Sequence, residues 1–152
     1  MENLMTASLK RFNYLTSEIE ATYHEAALKL GLSDSALTIL YTLCNYKGSC
    51  PLADIQRLSG ISKQTLNSAI RKLETECIVY LETFQGKKKR AYLTDKGKEL
   101  TENTVARLIE IENAIFASWT KAEQELYLEL TQRYLDAFRD KLADLTKGGD
   151  TQ

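Results

Sequence analysis

The sequence has little of what metal, disulfide and catalytic sites are built from. Its three cysteines, Cys44, Cys50 and Cys77, are an odd number without Cys-x-x-Cys spacing, and His24 is the single histidine. That leaves neither a disulfide framework nor a zinc site. Cys44 and Cys77 fall on apolar stripes and read as small core residues, whereas Cys50 stands beside a turn and reads as exposed. No apolar run approaches the roughly 20 residues needed to span a bilayer, and no signal peptide opens the chain, so the expected location is cytoplasmic. Internal repeats and low-complexity linkers are also missing. Gly86-Lys87 does not complete a phosphate-binding loop, because Leu81 stands where that loop needs glycine and no Ser or Thr follows Lys87. His24, with Glu20, Tyr23 and Glu25 around it, reads as a surface residue, and Glu110 and Glu112 lie on different sides of a helix. No nucleophile–base set emerges, so the chain is expected not to be an enzyme and to carry no cofactor.

What is present is a sizeable core and an uneven charge. With 152 residues, 43% of them apolar, the chain fits one domain. The net charge is −1, yet residues 60–90 hold seven Lys/Arg against three Asp/Glu, a local +4 that leaves −5 for the rest. A basic centre in an acidic body suits a protein that docks one face on DNA.

That centre lies within Pro51 to Thr94. Leu52, Ile55 and Leu58 give a short helix an apolar stripe, with Pro51 in its first turn. Gly60 stands where the chain must reverse, and Ser62 is a good N-cap for the next helix. There Leu66, Ile70, Leu73 and Cys77 form one stripe at helical spacing. Gln64, Asn67, Ser68, Arg71 and Thr75 face away from it; all can donate hydrogen bonds and none is acidic. Two β-prone runs follow, Ile78–Leu81 and Ala91–Leu93, broken by Gln85-Gly86-Lys87-Lys88-Lys89-Arg90, which puts four successive cations at a hairpin tip. The expected fold is mostly α with a small β-hairpin wing: a winged helix-turn-helix with N- and C-terminal dimerisation helices. Such a unit lays its second helix in the major groove and reads bases mainly from that helix's N-terminal part. The expected DNA-binding residues are Ser62, Lys63, Gln64, Thr65, Asn67, Ser68, Arg71, Lys72, Lys87, Lys88, Lys89 and Arg90. Gln64, Thr65, Asn67 and Ser68 would read base edges, and Arg71, Lys72 and residues 87–90 would neutralise phosphates.

The order helix, Gly turn, Ser-capped helix, strand and basic wing, followed by Arg90-Ala91-Tyr92-Leu93-Thr94-Asp95-Lys96-Gly97, resembles the MarR family of bacterial transcriptional regulators. The resemblance covers nearly the whole chain. One departure is that many members carry an Asp-x-Arg pair in the wing, whereas no acid stands here to orient Arg90. The resemblance implies a regulator, a repressor in this reading, released from DNA by a small aromatic or phenolic effector. Phe12, Tyr14, Tyr23, Tyr41 and Trp119 are the aromatic residues expected to line its pocket, with membership of the core as the plain alternative for each.

The flanks read as dimerisation helices at 1–31 and 95–148, around a DNA-binding domain at 33–94 and a disordered tail at 149–152. Phe12, Leu15, Ile19, Tyr23, Ala26 and Leu30 mark the first helix, ended by Gly31; Ser33 caps the second, holding Leu37, Leu40, Tyr41 and Cys44. Thr94 opens one long helix through Leu100, Val105, Leu108, Ile111, Ile115 and Phe116. Thr120 and Glu123 form a capping box for the last helix, from Leu126 through Leu145 to Gly148-Gly149. Helices this long and apolar exceed what a small winged helix covers, so a homodimer on a palindromic double-stranded operator is expected. Two alternatives accompany this reading: a thiol-based redox regulator of the same fold, acting through Cys44, Cys50 or Cys77, and a winged-helix protein-docking module.

Overall fold

The computed structural model describes residues 4–145, and the chain divides into two units, residues 1–109 and 110–152. In the first unit, helix α1 (Ala7–Lys29) is capped by Thr6, whose hydroxyl accepts from the Leu9 N–H at 3.2 Å. Its end is a Schellman turn, with Gly31 at φ +69° and Leu32 N–H donating to the Ala27 carbonyl at 2.9 Å. Only Ala27 of this helix is buried. Helix α2 (Asp34–Asn45) is capped by Ser33 and buries Leu37, Ile39, Leu40 and Leu43. His24 Nδ1 lies 2.8 Å from both Asp34 carboxylate oxygens, joining the end of α1 to the start of α2.

Strand β1 (Ser49–Pro51) was not expected from the sequence. It corrects the reading of Cys50: the middle residue of this strand turns inward and is fully buried, because alternate side chains leave a strand on opposite faces. Helix α3 (Leu52–Ser59) follows, burying Ile55 and leaving Leu58 exposed. Steps of three residues rotate the face by about 60° each, so a stripe of three drifts off the core. Gly60, at φ +70°, makes the turn.

Helix α4 (Lys63–Thr75) buries Leu66, Ile70 and Leu73. Cys77 does not extend that stripe, a second correction. The helix has ended, Cys77 takes the left-handed position at φ +58°, Ile78 N–H returns to the Leu73 carbonyl at 2.8 Å, and the thiol is exposed.

Strands β2 (Val79–Phe84) and β3 (Lys88–Leu93) run longer than expected, in an antiparallel sheet ordered β1-β3-β2. The turn shrinks to residues 85–87, with Gln85 and Gly86 at positive φ. Only Lys87 is therefore at the tip; Lys88, Lys89 and Arg90 belong to β3, where side chains alternate between faces.

The long helix expected from Thr94 is two helices, α5 (Asp95–Asn103) and α6 (Val105–Ala117). Thr104 breaks it at φ −126°, ψ −90°, and its hydroxyl donates to the Leu100 carbonyl at 2.6 Å. Thr101 likewise donates to the Gly97 carbonyl; such back-bonding competes with regular helix geometry. Ile39, Leu40, Leu43, Ile55, Leu66 and Val105 form the fully buried centre of this unit.

In the second unit, helix α7 (Lys121–Leu145) opens with the expected capping box. Thr120 N–H donates to Glu123 Oε2 at 2.8 Å, and Glu123 N–H donates to Thr120 Oγ1 at 3.2 Å. No residue of α7 is buried. The expected helix end at Gly148-Gly149 and the tail at 149–152 lie outside the described residues.

Candidate nucleic-acid interface

Helix α4 begins with a fixed geometry. Ser62 Oγ accepts from the Thr65 N–H at 3.1 Å and donates to Thr65 Oγ1 at 2.8 Å. One turn on, Lys63, Gln64, Asn67, Ser68 and Arg71 line a single open depression of about 470 Å³. Two cations, two amides and a hydroxyl converge there with no carboxylate, a set of donors matched to base acceptors and phosphate oxygens. Thr65 and Lys72 are exposed but lie outside this depression. Thr75, expected on the same face, directs its hydroxyl to the Arg71 carbonyl at 2.9 Å.

The wing divides its cations between two faces. Lys89 shares a cleft of about 210 Å³ with Leu52, Asn67, Ile70, Arg71, Glu74 and Leu81. Arg71 thus borders both the α4 depression and the cleft between α4 and the wing. On the opposite face of the sheet, Tyr80 and Tyr92 stack with centroids 5.1 Å apart. Arg90 is half-buried on that face. Its Nη1–H donates to Ser49 Oγ at 3.3 Å and its guanidinium lies 5.4 Å from the centre of the Phe84 ring. In register, Arg90 stands opposite Glu82 on one side and Pro51 on the other. Ser49 escaped the sequence reading because a strand of three residues leaves no periodic signal.

Burial raises the Cys50 thiol above its ordinary pKa; Asp54 raises it further, while Arg90 and Arg57 oppose the shift. Burial also raises Cys44. Both shifts reduce the reactive thiolate at neutral pH.

Among the aromatic residues expected at an effector pocket, Phe12, Tyr14 and Tyr23 are exposed on α1, with Arg11 over the Tyr14 ring at 5.5 Å. Tyr41 packs against the core from α2. Trp119 joins Phe116 and Tyr127, at centroid distances of 5.0 and 5.4 Å, and lines a concavity with Glu123, Leu126, Tyr127 and Leu130.

Neither a protein-family model nor a curated protein sequence matches this chain. Solved structures do. NMB1585, a MarR family regulator from Neisseria meningitidis, superposes with a TM-score of 0.76 at 17% identity, over 93% of this chain and 99% of that one. Sco3205, a MarR family regulator from Streptomyces coelicolor solved with DNA, gives 0.68 at 17% identity, over 90% and 91%. NadR, solved with 4-hydroxyphenylacetate, gives 0.68 at 14% identity, over 88% and 96%. The chain therefore has a MarR-type winged-helix fold.

Proposed function

We propose that this protein is a sequence-specific, DNA-binding transcriptional regulator without enzymatic activity, acting in the cytoplasm as a homodimeric repressor. The observation that carries the reading is the acid-free depression on α4, lined by Lys63, Gln64, Asn67, Ser68 and Arg71 and beside the Lys89 cleft. Those side chains would enter the major groove while the wing neutralises flanking phosphates. Among the described residues no helix is long and apolar enough to cross a membrane. The same fold is seen with DNA in Sco3205, which favours this use of the surface over protein docking.

Control by a small aromatic or phenolic effector is part of the proposal. NadR, of the same fold, holds 4-hydroxyphenylacetate, and the exposed aromatic residues of α1 offer ring contacts of the kind such a molecule takes.

Fluorescence anisotropy against duplexes selected from a random pool tests DNA binding. The expected result is affinity at least about 10³-fold tighter for the selected duplex than for a scrambled one at physiological salt. Equal, salt-labile binding to both would reduce the basic surface to non-specific attraction. Hydroxylated aromatic acids added to the complex should release the DNA and raise the melting temperature of the free protein.

A further inference from the structure

Arg90 is the one cation of the wing run 87–90 that is partly buried, and it is held from two directions. Ser49, 41 residues earlier, accepts from its Nη1–H at 3.3 Å; Phe84, on the neighbouring strand, lies under its guanidinium at 5.4 Å. The strand register explains why both are available. Arg90 pairs across with Pro51 of β1 and Glu82 of β2, and Ser49 and Phe84 each lie two residues along from those partners, on the same face of the sheet. Glu82 is the acid in register with Arg90, yet no ion pair joins the two among the described residues. The wing has no acid of its own at the expected place, and a neutral hydroxyl from a separate strand occupies the orienting role.

We infer that Ser49 is a positioning residue for DNA binding: its hydroxyl, with the Phe84 ring, fixes the Arg90 guanidinium against the wing so that it meets the DNA backbone in one orientation. This rests on the proposed DNA-binding reading and deepens it. A neutral holder has a consequence that an acidic one lacks. A carboxylate bonded to the guanidinium would cancel part of its charge, whereas Ser49 orients the fork without adding a negative charge of its own. The exposed lysines 87–89 must be ordered as they bind; Arg90 is ordered beforehand, which lowers the entropic cost of its contact.

The test is a double-mutant cycle on the selected duplex, read by anisotropy over a salt series. Ser49→Ala should weaken binding about threefold to tenfold, the range of one hydrogen bond, with an unchanged salt slope because no charge is lost. Arg90→Ala should weaken it more and lower the slope by about 0.9. In the Arg90→Ala background, Ser49→Ala should cost nothing further, a result that a merely structural role would not give. Ser49→Thr, which keeps the hydroxyl, should restore wild-type affinity. A Ser49→Ala loss that persists without Arg90, or no loss at all while Arg90→Ala weakens binding, overturns the positioning role and leaves the DNA-binding reading intact. A wild-type protein that does not distinguish the selected duplex overturns both.

Discussion

Gly97, in the first turn of α5, lies so close to Ile78 that a β-carbon there would overlap the Ile78 carbonyl group. The contact closes the base of the wing. Thr94 N–H donates to the same carbonyl at 3.0 Å, and Thr94 Oγ1 accepts from the Gly97 N–H at 2.9 Å. The sequence Leu93-Thr94-Asp95-Lys96-Gly97 thus has a physical cause. Threonine caps the helix and ties it to the Cys77 and Ile78 carbonyls just before β2, Lys96 Nζ donates to the Glu76 carbonyl at 2.9 Å, and glycine allows the helix to approach the backbone. Gly97→Ala is expected to destabilise the fold by about 2–3 kcal/mol, in the range of overpacked cores. Urea denaturation should give a lower midpoint, and an unchanged midpoint would mean that the backbone yields freely there.

Arg71 borders both the α4 depression and the Lys89 cleft, so its role separates two kinds of recognition. As a base contact, Arg71→Ala should cost about 1–3 kcal/mol on the selected duplex and relax preference at one base pair. As a phosphate contact, it should weaken all duplexes alike and lower the salt slope by about 1. Equal affinity and slope before and after substitution would remove Arg71 from the interface.

The helices and the Ser62 cap were legible because apolar spacing and capping chemistry are local. The errors all arise where a local pattern meets tertiary context. The α4 stripe continues on paper to Cys77, but the left-handed residue that ends the helix turns that thiol outward. Cys50 looks like a turn residue until β1 pairs with β3 and buries it against the core. Apolar spacing runs on through Thr104, whose backbone leaves helical geometry between α5 and α6. That Gln64, Asn67, Ser68 and Arg71 share one side of α4 could be read directly, since helical geometry alone sorts them. The Ser49–Arg90 contact could not, because it depends on strand register between segments 41 residues apart.

The thiols give a prediction of both access and pH dependence. In the native protein a maleimide reagent should label exposed Cys77 first and spare buried Cys50 until unfolding. Because burial raises Cys50 and Cys44, the folded state holds those protons more tightly than the unfolded chain does. That stabilisation is complete below about pH 8.5, the range of an unfolded thiol, and is lost as pH rises through the higher folded-state values. Stability should therefore decline on the alkaline side, and Cys50→Ala should flatten the decline whatever it costs at neutral pH. Denaturation midpoints between pH 7 and 10 check this, with parallel curves for the two proteins counting against it.

Helix α7 leaves Leu130, Phe138 and Leu142 about half exposed, at 47%, 53% and 48%. Their spacing in the sequence, at helical multiples of four, puts them along one stripe rather than scattering them singly. Burying each such side chain is worth about 1.5–3 kcal/mol, and a symmetric dimer collects every contact twice. A carboxylate at the middle of the stripe would have to be desolvated in both copies. In the proposed homodimer, Phe138→Glu is therefore expected to give a monomer at micromolar concentration, with little change in helix content, since the site is exposed within a single chain. Losing the second reader should also weaken operator binding by about a hundredfold or more, because the two half-sites would no longer be bound as one linked event. Sedimentation velocity and anisotropy on the same samples test the coupling. A variant that keeps the wild-type mass would exclude this face from the dimer, and a monomer that keeps full affinity would detach dimerisation from DNA recognition.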